Sequence, residues 1–284
     1  MKKLLLAVTA MALVMTVTPA SADAIDDIKA KGTLTVGVKS DFKPYGYRSA
    51  NGNIIGIEID LANKIANSLG VELKVIPVVA SNRIQFLQNG KIDLIMATMA
   101  DTKKRRKVID IPKPNYYSSG PTVLTAKQAK IKSWDALQDR TVCGILGAWY
   151  NKSISTKFKF KMINFKTTGE AYKALQDSRC VGFLYEDITL LASTVGSEWD
   201  AFEMPISSLP SETYAWGIGV KKGETFTNPL ELELITAREN RDAVLGASNW
   251  KLAYTDGSSE NIIPKIQRLP QHDQNATNTW SMMS

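Results

Sequence analysis

Residues 82–117 bring hydroxyl groups and a guanidinium group to the ends of predicted elements. The segment predicts a short helix from Arg83, a buried strand that ends at Thr98, and a helix start that carries Thr102 and Arg105. A guanidinium group presents its N–H donors in a planar fork that matches the two oxygens of a carboxylate. The pattern therefore predicts capture of a small anionic or zwitterionic molecule, and not chemistry on it.

Such a site needs a sheet whose strands end at one edge. Hydrophobic periodicity predicts strands at 33–38, 71–75 and 92–98 and helices at 57–69 and 83–88. This β-α-β-α-β order implies a mostly parallel sheet. Ligands bind beyond the carboxyl ends of the strands in such sheets, which is where the residues above stand.

A second series of elements follows Pro121. It comprises predicted strands at 141–146, 161–165 and 180–185, helices at 148–154 and 168–177, and a short helix that Ser133 caps. Residues 214–220 predict a late strand that returns to the first unit. Two α/β units with facing strand ends imply two lobes with a cleft between them.

The amino terminus predicts export. Lys2 and Lys3 precede an apolar run that ends near Thr18, and residues 20–22 place small side chains at both positions that a signal peptidase reads. A membrane anchor is the alternative, but the run is shorter than the roughly 20 residues that a spanning helix needs. We therefore expect cleavage after Ala22 and a periplasmic protein.

Composition narrows the class of function. The formal net charge is +7, and in an exported chain the basic run 103–107 predicts a solvated helix start and no nucleic-acid partner. Two cysteines and the single His272 leave little for a zinc site or a histidine-dependent triad, so we expect no metal, no cofactor and no catalytic residue.

Cys143 and Cys180 fall in predicted strands of one region. Export permits a disulfide between them, and two buried thiols remain the alternative.

Five segments carry a pattern in a fixed order along the chain. They read GTLTVGVKSDFKPYGYRSANGNIIGIEIDLANKIANSLG, QNGKIDLIMATMADTKKRRKVIDIPKPNYYSSG, RTVCGILGAWYNK, SRCVGFLYEDITLLAS and YAWGIGVKKG. Together they resemble the family 3 periplasmic solute-binding proteins, the amino-acid receptors of ABC importers. The resemblance covers roughly residues 26–250.

The resemblance implies a type II two-lobed α/β fold, with a mostly parallel sheet flanked by helices in each lobe. A hinge of two strands, near 118–125 and 212–219, would let the lobes close on one amino acid. The expected organisation is a signal peptide at 1–22, lobe 1 at 23–120 and 216–256, lobe 2 at 121–215, and a tail at 257–284.

The resemblance also implies ligand-binding residues. Arg105 matches the arginine that grips the α-carboxylate, and Thr98 matches a hydroxylated position that helps to hold the ligand. Glu186 matches the acidic position that pairs with the α-ammonium, with Asp187 as a substitute. The other matched positions are Phe42 against the ligand side chain, Thr102 and Ala100 beside the carboxylate, and Ala148 and Trp149 in a second-lobe loop.

Structural roles stay open for the same residues. Arg105 lies in a basic run and could be a surface charge. Glu186 could cap the helix that follows it. Phe42 and Trp149 could be core residues.

Departures from the family pattern bear on the ligand. Ala97 and Ala100 replace hydroxylated residues, and two lysines stand where Pro-Glu is common. Lys39 stands at a position that is acidic in many basic-amino-acid and glutamine receptors. Arg83 resembles an arginine with which acidic-amino-acid receptors meet the side-chain carboxylate. Lys39, Arg83 and Arg105 give the site three positive charges, and Glu186 gives it one negative charge. This excess of positive charge predicts that the site favours glutamate or aspartate and disfavours arginine or lysine.

The expected function is therefore that of a monomeric, non-enzymatic receptor that delivers an acidic amino acid to an inner-membrane ABC permease. One alternative is a periplasmic enzyme of the cyclohexadienyl dehydratase type, with Glu186 as its acid. That reaction needs a general acid poised over a leaving group, and neither a second acid nor a histidine is evident. Another alternative is a sensor module that presents its ligand to a partner protein.

Overall fold

The structure is a computed structural model that describes residues 24–113 and 115–224. The predicted signal peptide, His272, the tail and most of the return segment at 216–256 lie outside the described residues. Within the described ranges, no helix has the length and apolar character needed to cross a membrane.

The first lobe contains a three-stranded parallel sheet flanked by helices. Its elements are α1 (Ala24–Lys31), β1 (Thr33–Val38), β2 (Asp41–Phe42), β3 (Gly46–Arg48), β4 (Ile54–Ile55), α2 (Ile57–Leu69), β5 (Glu72–Pro77), α3 (Arg83–Gln88), β6 (Leu94–Met96), α4 (Lys103–Arg106) and β7 (Ile109–Asp110). The strand order is β5-β1-β6, with Val36 opposite Val75 on one side and Leu94 on the other. Helix α2 ends as predicted, because Gly70 adopts the left-handed conformation at φ 71°.

The second lobe has a mixed sheet of order β11-β10-β12-β9-β13, in which β10 runs parallel to both of its neighbours. Its elements are β9 (Pro121–Ala126), β10 (Thr141–Ile145), α5 (Asn151–Lys157), β11 (Lys161–Phe165), α6 (Thr168–Gln176), β12 (Gly182–Glu186), α7 (Asp187–Ser193) and β13 (Phe202–Glu203), with short 3₁₀ turns at Lys127–Ala129, Asp135–Leu137, Ser197–Trp199 and Pro210–Glu212. The two lobes thus repeat one plan, with parallel strands whose carboxyl ends face the cleft.

Antiparallel pairing joins the lobes. Strand β8 (Tyr117–Ser119) pairs with β14 (Tyr214–Trp216), and β15 (Val220–Lys221) pairs with β7 of the first lobe. Isolated bridges join Ile95 to Gly219 and Ala100 to Trp216. Residues 214–221 therefore lead back to the first lobe, but the single strand predicted at 214–220 is two short strands, β14 and β15.

Some predicted boundaries are wrong. The strand predicted at 92–98 covers Leu94–Met96, since Thr98 leaves it with a positive φ of 47°. The helix predicted from Ala148 begins at Asn151, because Gly147 at φ 89° opens a turn before it. Ser133 does not cap a helix through its side chain, and the short 3₁₀ turn there begins at Asp135.

The predicted disulfide between Cys143 and Cys180 is present. The two Cα atoms lie 5.6 Å apart, within the usual range for a bonded pair, and both residues are buried in the second lobe. The bond ties β10 to the residues just before β12.

Removing this bond by the Cys143→Ala and Cys180→Ala double substitution is expected to lower the free energy of unfolding by about 4 kcal/mol. The bond closes a loop with a sequence separation of 37 residues, which restricts the unfolded chain. Urea unfolding followed by circular dichroism measures the effect. Dithiothreitol should move the wild-type midpoint to that of the double variant and leave the variant unchanged. Equal midpoints for oxidised and reduced wild type would contradict the prediction.

Candidate functional site

A cleft between the lobes collects charged side chains from the carboxyl ends of the strands. Its lining residues are Lys39, Ala80, Arg83, Thr98, Arg105, Ala148, Trp149, Tyr185 and Glu186. Most of them were predicted from the sequence as ligand-binding residues. The structure therefore gathers into one cleft side chains that are far apart along the chain.

Arg105 enters the cleft from helix α4 with its backbone fixed. The Thr102 side chain accepts a 3.2 Å hydrogen bond from Arg105 N, and Arg105 Nη1 donates to Ala100 O at 2.8 Å. The residue is 8% exposed, which excludes the surface-charge alternative. Burial, followed by repulsion from Arg83, lowers the pKa of Arg105 to about 9. The group is still protonated at neutral pH.

Arg83 lies beside Arg105 at the start of α3. It is 3% exposed, and its Nη1 donates to the carbonyl oxygen of Ala97. Its Nε has no hydrogen-bond partner among the described residues. Burial lowers the pKa of Arg83, and the nearby Tyr185, Tyr116 and Glu186 oppose that shift. The cleft thus contains two neighbouring guanidinium groups that protein carbonyls satisfy only in part.

Glu186 is the acidic group on the opposite lobe. It ends β12, is 9% exposed, and its Oε2 has no hydrogen-bond partner among the described residues. Burial raises the pKa of Glu186, while the Tyr150 hydroxyl lies close enough to lower it in part. That hydroxyl nevertheless forms no hydrogen bond of ordinary geometry with the carboxylate. Glu186 precedes α7 but does not cap it through its side chain.

Lys39 faces the cleft, yet its charge is matched within its own lobe. It is 1% exposed, and its Nζ lies 2.8 Å from Asp41 Oδ1. The contact is an ion pair without hydrogen-bond geometry. The sequence-based count of three cations against Glu186 therefore omits Asp41, and the two arginines carry the excess positive charge.

Several predicted residues lie outside the cleft lining. Phe42 is fully buried, with its ring centroid 5.4 Å from that of Tyr185 and 5.6 Å from that of Trp216. Thr102 caps α4, and the carbonyl oxygen of Ala100 accepts a hydrogen bond from Arg105. These residues support the cleft from behind.

Asp187 also lies behind the cleft, where it fastens the hinge. Its Oδ1 accepts hydrogen bonds from Ser119 Oγ at 2.6 Å and from Ile188 N at 2.7 Å, and its Oδ2 accepts from Ser208 Oγ at 2.6 Å. Both carboxylate oxygens of Asp187 therefore accept hydrogen bonds, whereas Oε2 of Glu186 has no partner among the described residues. This arrangement favours Glu186 over Asp187 as the acid that faces a ligand.

Glu58 is a residue that the sequence reasoning missed. It is fully buried, and its Oε1 accepts hydrogen bonds from Thr98 N at 2.6 Å and from the Tyr116 hydroxyl. These bonds hold Thr98 in its left-handed conformation at φ 47°. Burial raises the pKa of Glu58 to about 7, against the lowering effects of Tyr116, Thr98 and Arg83. The sequence did contain a signal for this role. Glu58 lies on the same face of α2 as the apolar residues Leu61 and Ile65, which indicates a buried carboxylate.

The side chains of the cleft are suited to binding a charged ligand. Among residues 24–113 and 115–224, no group of three histidine, cysteine or carboxylate side chains could hold a metal ion. Two buried guanidinium groups face one buried carboxylate across a narrow cleft. Comparison with known proteins agrees with this interpretation.

Residues 34–253 match a family described as bacterial extracellular solute-binding proteins, family 3. The chain belongs to this family. Family membership confirms a binding protein that works outside the cytoplasm. The relatives are named as binding proteins, which supports a non-enzymatic role over the enzyme alternative.

Relatives of this family 3 protein differ in ligand. A glutamine-binding protein of an ABC transporter in Bacillus subtilis, GlnH, is 31% identical over 72% of this chain and 75% of its own length. A glutamate/aspartate import protein of Escherichia coli is 25% identical over 72% of each chain. The arginine-bound form of truncated ArgBP from T. maritima has a TM-score of 0.68 at 29% identity, over 75% of this chain and 99% of its own. The likeness confirms the type II two-lobed fold. The relatives bind different amino acids, so the ligand of this protein has to be inferred from the residues of its cleft.

Proposed function

We propose that this solute-binding protein captures an acidic L-amino acid, glutamate or aspartate, and presents it to an ABC permease of the inner membrane. The signal peptide with cleavage after Ala22, the periplasmic location and the monomeric state are parts of the same proposal. The observation that carries it is the pair of buried arginines.

Among the described residues, no acidic side chain lies within salt-bridge distance of Arg83 or Arg105. Each is almost fully buried, donates to a backbone carbonyl, and forms no salt bridge with the residues that the structure describes. Burial of an unpaired charge is costly, and a carboxylate that meets the fork of a guanidinium group offsets that cost. Two such groups side by side fit a ligand that carries two carboxylates.

The opposite wall supplies the third contact. We assign the α-carboxylate to Arg105, with help from Thr98 and the backbone at Ala148 and Trp149, and the side-chain carboxylate to Arg83. The free oxygen of Glu186 then receives the α-ammonium group. This arrangement leaves each charge of a glutamate or aspartate zwitterion with an opposite partner.

Other amino acids match this charge pattern less well. Glutamine would leave the Arg83 guanidinium without an anion. Arginine or lysine would add a cation beside two buried arginines, and an unpaired buried charge costs several kcal/mol by order of magnitude. Glutamate/aspartate import by one of the relatives is consistent with the proposal.

Lobe closure is the proposed mechanism of transport. The ligand contacts both lobes, so it stabilises the closed arrangement over the open one. The hinge pairing of Ser118 with Ala215 lets the lobes move as units. The permease then recognises the closed form.

Isothermal titration of refolded, ligand-free protein tests the proposal. The panel is L-glutamate, L-aspartate, L-glutamine, L-arginine and L-cysteine. One of the acidic amino acids should bind about a hundredfold more tightly than L-glutamine, and L-arginine should bind weakest. A tighter affinity for L-arginine or L-cysteine than for either acidic amino acid would refute the proposed ligand.

A further inference from the structure

Asp41 of the first lobe contacts the first turn of α6 in the second lobe. Its Oδ2 accepts from Thr168 N at 2.9 Å and from Thr168 Oγ1 at 3.2 Å, and its main-chain oxygen accepts from Thr168 Oγ1 at 2.9 Å. The two residues are 127 positions apart in sequence. We call this set of bonds the Asp41–Thr168 contact.

The amino terminus of α6 is prepared for a carboxylate. The Thr167 hydroxyl accepts from Glu170 N at 3.3 Å, and the Glu170 carboxylate accepts from Thr167 N at 3.0 Å. This capping box leaves the amide of Thr168 for a partner outside the helix. A carboxylate at that position also interacts favourably with the helix dipole. The first lobe supplies this carboxylate.

The same carboxylate also reaches the ligand cleft. Asp41 Oδ1 lies 2.8 Å from Lys39 Nζ, and Lys39 lines the cleft. One side chain therefore holds a cation of the cleft with one oxygen and the opposite lobe with the other.

The contact belongs to the closed arrangement of the lobes. A Cβ at Gly147 of the second lobe would lie 2.8 Å from Ala80 C and Ser81 N of the first, so the backbones touch at the cleft. Separation of the lobes would break both this approach and the Asp41–Thr168 contact.

We propose that Asp41 is a positioning residue that holds the lobes closed through Thr168 while it fixes Lys39 in the cleft. The Asp41–Thr168 contact then slows ligand release without touching the ligand. It is present in the closed form alone, so its loss raises the dissociation rate and leaves the stability of the open protein unchanged.

Thr168→Pro is the sharpest test. Proline removes the amide donor and the hydroxyl, yet it is well tolerated at the first position of a helix. Thr167 already has the extended conformation that proline requires before it, with φ −122° and ψ 156°. The substitution also leaves the Lys39–Asp41 pair intact. We expect L-glutamate to dissociate about ten- to thirtyfold faster in stopped flow.

A second measurement reports the closed population. Spin labels at Asn63→Cys and Lys152→Cys, exposed positions on opposite lobes, give the interlobe distance by pulsed electron paramagnetic resonance. The native cysteines form a disulfide and do not take the label. With L-glutamate, Thr168→Pro should show a smaller short-distance population than wild type at the same urea midpoint.

Two further variants complete the design. Gly169→Ala lies on the same turn, where an added Cβ meets open space, and should behave as wild type. Thr168→Ala removes the hydroxyl but keeps the amide donor, so L-glutamate should dissociate only about threefold faster. This variant replaces Thr168→Pro in the experiment if the proline variant does not fold.

The proposal fails if Thr168→Pro, or Thr168→Ala in its place, has the same L-glutamate dissociation rate and the same short-distance population as wild type. A lower urea midpoint with an unchanged release rate would show a purely structural contact and would also overturn it. The choice of L-glutamate rests on the proposed function. If wild type bound another amino acid of the panel instead, the proposed ligand would be wrong, and the same measurements with that amino acid would still decide the role of the contact.

Discussion

Arg105→Ala is expected to abolish tight binding of every amino acid, with a loss of affinity of more than about a hundredfold. The guanidinium group is 8% exposed and is assigned to the α-carboxylate that all amino acids share. Loss of one partner from a buried ion pair costs about 3–5 kcal/mol, because the other charge is left desolvated. Isothermal titration with L-glutamate and L-glutamine measures the change, and both affinities should fall together.

The structure offers a matched control on the same helix. Lys104 is exposed, so Lys104→Ala removes a positive charge one residue away without entering the cleft. Its affinity should stay within about twofold of wild type. Arg105→Lys should recover binding in part, since an ammonium group keeps the charge but lacks the planar fork. Wild-type affinity in Arg105→Ala would remove Arg105 from the site.

Arg83→Met is expected to change the ligand preference instead of abolishing binding. Affinity for L-glutamate should fall about a hundredfold or more, while affinity for L-glutamine should change little. The reason is that Arg83 is assigned to the side-chain carboxylate, which glutamine lacks. Methionine preserves the apolar stem of the buried side chain and removes the charge together with the hydrogen bond to Ala97 O.

Stability of the free protein distinguishes this role from a structural one. Arg83 Nε has no hydrogen-bond partner among the described residues, and burial lowers the pKa of the group. Removal of an unpaired buried charge should leave the urea midpoint unchanged or raise it. Equal losses for L-glutamate and L-glutamine, or a lower midpoint, would contradict the assignment of Arg83 to the side-chain carboxylate.

The revised role of Lys39 makes the Arg83 experiment decisive. The sequence predicts three cations in the cleft, but Asp41 lies 2.8 Å from Lys39 and balances its charge. The preference for an acidic ligand therefore depends on Arg83 more heavily than the sequence indicated. Arg105 cannot provide it, because every α-amino acid has the carboxylate that Arg105 is assigned to hold.

Local patterns in the sequence determined most of the elements and several of the residues that line the cleft. Apolar residues at helical spacing and Gly70 fixed α2, because side chains three and four residues apart share one face of a helix. Strand ends in a parallel sheet meet at one edge, so Thr98, Arg105 and Glu186 could be placed together from their positions after predicted strands. Two cysteines in one predicted lobe made a disulfide plausible and left two buried thiols as the alternative, and the Cα separation in the structure decided between them.

Only the tertiary structure decided how the remaining charges are used. Nothing in the sequence singles out Asp41, and Asp187 is named there only as a substitute for Glu186. In the structure Asp41 binds Thr168 of the other lobe, and Asp187 binds Ser119 of the hinge and Ser208. Glu58 supports Thr98 from 40 positions away. Periodicity encodes which residues share a face of one element. Which carboxylate meets which donor across two lobes depends on how those elements pack, so these contacts could be assigned only from the folded structure.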